Sequence, residues 1–101
     1  MNKVRYKVLE IKHSGRKGPR DSPVSQDKYK GLIGSVIESI NILDLYEFDI
    51  WHWSFVNTES PYEDWYTSQV ISVTKEHDKP VYHIETLNTI YVVEELKDDE
   101  H

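Results

Sequence analysis

Val81-Tyr-His-Ile-Glu-Thr-Leu-Asn-Thr-Ile-Tyr-Val-Val-Glu94 is the stretch that decides the fold. Two runs rich in β-branched and aromatic residues, Val81 to Thr86 and Thr89 to Glu94, flank only Leu87-Asn88. Such runs favour a pleated, half-buried surface, and a two-residue connection makes them a hairpin. Just upstream, Glu76-His-Asp-Lys-Pro80 has the length and composition of another hairpin turn, preceded by a run from Trp65 to Thr74. The second half of the chain therefore reads as an antiparallel meander.

Working outward, a first strand is expected from about Lys3 to Lys12. Val4, Tyr6 and Val8 would share one face, and Leu9 and Ile11 the other. A long loop follows, roughly residues 13 to 28, because Gly15, Gly18, Pro19 and Pro23 forbid a regular element. A second strand is expected over Tyr29 to Ile40, with Leu32, Val36 and Ile40 in the core and a bend near Gly31 and Gly34. Residues 41 to 46 read as a turn or one helical turn, and a third strand runs from Glu47 to Val56. Asn57 to Asp64 reads as a loop. Alanine is absent, and no segment sustains a helical period over four turns. The expected fold is all-β: a small SH3-like barrel or strongly twisted antiparallel sheet of five to six strands, with one long early loop. Closure would hide the strand edges that an open sheet exposes. A chain of 101 residues is one domain, here residues 1 to 95, followed by an acidic tail from 96 to 101.

The closing pattern resembles a known one. Thr67-Ser-Gln-Val70 followed by Ile84-Glu-Thr-Leu-Asn-Thr-Ile-Tyr91 is similar to the ending of small uncharacterised proteins of bacteria and their phages. Those proteins carry a TS-x-V strand and a T-x-N-S/T-x-Y hairpin. The resemblance covers about 25 residues and implies a small barrel in a bacterial or phage setting; no functional residue carries over with it.

Charge is split along the chain. Residues 1 to 20 hold seven basic side chains against Glu10 alone, a balance of +6, while the remaining 81 residues sum to −12. Lys12, His13, Arg16, Lys17 and Arg20 fall within nine positions, among glycines and serines. Glycines let backbone N–H groups turn toward an anion, and arginine adds a planar two-pronged donor. The spacing matches neither a Walker loop nor a dinucleotide fingerprint. The acidic remainder argues against duplex nucleic acid, which needs a broad basic face.

Aromatic residues gather between Tyr46 and Tyr66. On the third strand, Phe48, Ile50, His52, Ser54 and Val56 alternate with Asp49, Trp51, Trp53 and Phe55. If the first set fills the barrel, Trp51, Trp53 and Phe55 form an outer patch fit for a partner, a second copy of the chain, or a stacked base. If the second set fills it, the patch does not exist. Sequence alternation leaves both open.

Other chemistry has weaker support. The five histidines lack metal-ligand spacing, although His52, His83 and Glu85 could meet across strands. No nucleophile elbow occurs, and acids near aromatics are expected by chance at this acid content. Cysteine is absent, which fits a reducing compartment. No run of apolar residues is long enough to cross a membrane, and the first residues lack a secretory h-region. The expectation is a non-enzymatic, cytoplasmic binding module without metal or cofactor, in a bacterium or an infected bacterial host. Its ligand would be an anionic small molecule such as a nucleotide. Lys12, Arg16, Lys17 and Arg20 would grip phosphates, and Trp51, Trp53, Tyr62 or Trp65 would stack on a base. Some phage proteins of similar size sequester immune signalling nucleotides in this way, and the resemblance extends that role here by analogy. The alternative is a protein-interaction module or inhibitor that docks through an exposed Trp/Tyr surface.

Overall fold

Six antiparallel strands follow one another around a closed barrel in sequence order: β1 (Lys3–His13), β2 (Val36–Ile40), β3 (His52–Asn57), β4 (Ser60–Lys75), β5 (Val81–Thr86) and β6 (Thr89–Glu95). The structure, a computed structural model, describes residues 3–97, the side chain of Pro61 excepted. Two one-turn helices, α1 (Asp27–Leu32) and α2 (Ile42–Glu47), lie in the connections on either side of β2. The β5–β6 hairpin forms as its sequence directs, pairing Glu85 with Ile90 nearest the turn, and β6 closes the ring on β1. The fold is therefore the expected small all-β barrel. The acidic tail lies outside the described residues from Asp98 onward. Glu94 and Glu95 belong to β6, and the Leu96 N–H still bonds to the Arg5 carbonyl at 2.9 Å.

Where simple alternation misleads, a local irregularity is the cause. In β1, Tyr6 and Val8 point inward as expected, but a bulge between Val8 and Glu10 adds a residue and flips the parity. Ile11 thus joins Tyr6 and Val8 in the core, while Leu9 faces out. The expected strand from Tyr29 to Ile40 is two elements. Tyr29 and Leu32 are three residues apart and turn toward the barrel from α1. Gly34 then takes φ +89°, which a residue with a side chain resists, and β2 begins at Val36. Its inward residues are Ile37 and Ser39, so Val36 and Ile40 are only half-buried. The expected loop from 57 to 64 is a tight turn, because β4 already starts at Ser60.

The third strand is also shorter than expected. Asn41 caps α2, its side chain accepting from the Leu43 N–H at 3.0 Å, and Asp49 leaves the helix with φ +56°. The chain turns there, so alternation starts only at His52. Trp53 and Phe55 point inward, fully buried, and Trp51 is left outside at 66% exposure. Of the two alternations the sequence left open, the structure takes the one with Trp53 and Phe55 inside, so an outer patch of three aromatics does not form. Trp53 instead centres the core, with Phe55 at 4.5 Å and Tyr91 edge-on at 5.6 Å. Tyr6 anchors α2 from below: its hydroxyl accepts the Ile42 N–H at 2.9 Å, and burial pushes the phenol's pKa well up.

The polar residues of the closing pattern serve this architecture. Thr67 Oγ1 accepts the Trp53 N–H at 3.0 Å, and Ser68 Oγ accepts the Asn88 N–H at 3.2 Å. Thr86 Oγ1 donates to the Thr89 carbonyl and accepts the Thr89 N–H, bracing the two-residue turn. The Leu87 N–H bonds to the Gln69 carbonyl at 3.0 Å. These bonds tie β4 to β3, brace the β5–β6 turn and latch that turn to β4, so the pattern has a structural explanation.

Candidate functional site

The basic loop is built on the end of β1. Gly15 takes φ +111° and turns the chain back, and the His13 and Ser22 backbones meet again at 2.8 Å. Lys12 bridges to Pro23, and the Val24 N–H bonds to the Ile11 carbonyl, which plants buried Val24 in the core. Both ends of the loop are thus fixed to the barrel wall.

Two of the four loop cations expected in the site have protein partners. Arg20 meets Glu85 through two parallel bonds of 2.8 and 3.0 Å and also donates to the Ser14 carbonyl at 2.9 Å. The hydrogen bonds from Arg20 to Glu85 and the guanidinium charge hold the Glu85 carboxyl below the usual carboxylate range. Lys12 lies 3.6 Å from Asp21. Arg20 and Lys12 are therefore clips that fold the loop onto β5 and onto itself. Arg16 and Lys17 make no ion pair among the described residues.

Lys17 instead lines a recess of about 380 Å³ between the loop, α1 and the β5–β6 turn. His13 from β1 and Lys28 from the first turn of α1 line it with Lys17, so three basic side chains border one opening. Gln26, Asn88 and Thr89 add polar groups, and Tyr29 adds an aromatic face. No aspartate or glutamate lines it. The Lys28 ammonium lies 4.9 Å from the centre of the Tyr29 ring, an attractive cation–π contact. Gly18 packs directly against the His13 imidazole: a Cβ there would sit 2.7 Å from a ring carbon. A side chain there would push the imidazole aside, so Gly18 lets the ring lie where it does.

Comparison with protein-family models, with curated proteins and with solved structures found no match.

The structure separates the expected aromatic residues from this recess. Trp53 is sealed in the core and cannot stack on a ligand. Trp65 is half-buried between Phe55, stacked at 5.8 Å, and Tyr29 at 6.0 Å, so it backs the recess ring instead of lining it. Trp51 and Tyr62 are exposed, and neither lines the recess. The aromatic face that does line it is Tyr29, which strand-like alternation assigned to a sheet. The signal that could have found it is Ser25-Gln-Asp-Lys-Tyr29, a polar run with an acid entering a helical turn.

The histidines do not converge. His52 pairs its Nδ1 with the Thr67 carbonyl at 2.9 Å and stacks on Tyr66. His83 lies 2.7 Å from Glu76, and Glu85 is held by Arg20. Among the described residues no group of three or more potential ligands is arranged for a metal ion. No described helix is long and apolar enough to cross a membrane.

Proposed function

We propose that the chain is a binding module for a small anionic molecule, held in the recess by Lys17, Lys28 and His13. One observation carries this reading. In a chain of net charge −6 with 18 acidic residues, the recess gathers three nitrogen bases and no carboxylate. An opening lined by two lysines and a histidine, with no acid among its nine lining residues, favours an anion. The volume lies in the range of small-molecule sites.

A nucleotide, including a signalling nucleotide, matches the lining best. Lys17 and Lys28 offer ammonium donors to phosphate oxygens, and His13 offers a ring nitrogen. Gln26 and Asn88 offer amides that can pair with ribose hydroxyls or a base edge, and Tyr29 offers a ring face. In a bacterial or phage setting such a module would act by sequestering its ligand.

Titration calorimetry with ATP and with inorganic pyrophosphate tests this. Both should bind, ATP more tightly, and binding should weaken as salt is added. The double variant Lys17→Ala/Lys28→Ala should lose at least about tenfold in affinity, since each lost charge-assisted bond removes roughly 1.5–3 kcal/mol. Equal binding by the variant, or no binding of either anion to the parent protein, would contradict the reading.

A further inference from the structure

β4 is the longest strand, and its two halves have different neighbours. Residues up to Gln69 pair with β3, and the last contact on that side is the Val70 N–H to the Trp51 carbonyl, 2.6 Å. From Ser72 to Lys75 the strand pairs only with β5. A bulge between Val70 and Ser72 marks the change. Alternate N–H and C=O groups of an antiparallel strand point to each side, so this half presents an unpaired edge. No backbone bond from Ile71 to Lys75 runs to α2.

α2 stands beside that edge and does not close it. Its buried residues, Ile42 and Leu45, plug the barrel, and between helix and strand remains an open groove of about 800 Å³. Leu43, Tyr46 and Ile71 line it while 47%, 77% and 52% exposed. Glu47 and Asp49 also line it, and no lysine or arginine does. Phe48 and Trp51, 61% and 66% exposed, extend the apolar surface along the same turn.

We propose that this groove takes an extended segment of a partner protein that carries lysine or arginine between apolar residues, added as a strand to the second half of β4. The unpaired edge supplies main-chain hydrogen bonds, the mode in which strand addition gains its affinity. The apolar lining accepts alternate side chains, and Glu47 and Asp49 select positive charge. A positive strand is attracted to these acids, whereas a second copy of the chain brings the same net charge of −6.

The probes are two synthetic hexapeptides, Val-Lys-Val-Lys-Val-Lys and Val-Glu-Val-Glu-Val-Glu, capped at both ends and added at millimolar concentration to the ¹⁵N-labelled protein. The lysine peptide should shift amide signals of Ile71 to Lys75 and of α2, and slow hydrogen exchange along Ser72 to Lys75. The glutamate peptide should leave them unchanged. The exposed-site variant Ile71→Lys should keep the parent spectrum elsewhere and weaken the lysine peptide about tenfold or more. Unshifted signals with the lysine peptide, equal effects of both peptides, or shifts lying elsewhere would overturn the proposal. So would a native mass spectrum showing a dimer that Ile71→Lys dissolves, since a second copy would then occupy the groove.

Discussion

The recess beside α1 and the groove beside α2 are openings in one barrel wall with opposite linings. The first holds His13, Lys17 and Lys28 and no acid; the second holds apolar side chains with Glu47 and Asp49 and no lysine or arginine. Each lies where a short helix interrupts the chain's return to the sheet. The net charge of −6 is thus a poor guide to the lining of either opening. Charge is sorted by site, and the fold does the sorting: Arg20 and Lys12 are neutralised on the wall, which leaves Lys17 to the recess.

The largest expected effect falls on the segment that enters β3. Trp53 and Trp51 are two residues apart on one segment, one fully buried and one mostly exposed. Trp53→Ala should cost about 3–5 kcal/mol, as for a large core aromatic. Trp51→Ala should stay within about 0.5 kcal/mol. Urea unfolding of both variants checks this. Similar losses would mean that the strand is placed wrongly and that the groove has another shape.

A smaller effect sharpens the recess. Gly18→Ala puts a methyl group against the His13 ring, which must move. ATP affinity should fall several-fold while unfolding changes by less than about 1 kcal/mol, because the site is a surface loop. Peptide binding in the groove should not change. Unaltered ATP binding would remove His13 from the site.

The smallest effect concerns the clip between loop and wall. Arg20 holds the folded Glu85 pKa below its ordinary value of 4.5. Glu85 therefore contributes stability fully above that value, and the contribution is lost as pH falls through the depressed folded pKa. Thermal melts of the parent and Glu85→Gln should differ slightly at pH 7 and converge in acid. The gap is small because the pair is partly solvated. A gap that widens in acid would contradict the assigned partner.

Much of the barrel was legible because β5 and β6 are uninterrupted and joined by two residues. Period-two reading failed where the backbone added or turned a residue: the bulge after Val8, the left-handed Asp49, and Gly34 before β2. Six-residue helices such as α1 and α2 hold too few turns to show a period against β-branched neighbours. His13 and Lys17 were legible within a local basic cluster, but Lys28 was not, nor was it legible that Lys12 and Arg20 pair with acids. Glu85 lies 65 residues from Arg20 in sequence, and only the register of β5 brings it to the loop. Lys28 and Tyr29 of α1 and Asn88 of the β5–β6 turn join the recess for the same reason: only the closed ring brings these two segments together.

The most direct measurement is one ¹⁵N–¹H titration of a single sample, with ATP first and the capped Val-Lys-Val-Lys-Val-Lys peptide second. ATP should shift signals of His13, Lys17, Gln26 to Tyr29 and Asn88, and the peptide should then shift a separate set in α2 and Ile71 to Lys75. If ATP instead moves the α2 set, or moves nothing, the recess is not an anion site and the division of chemistry between the two openings is wrong.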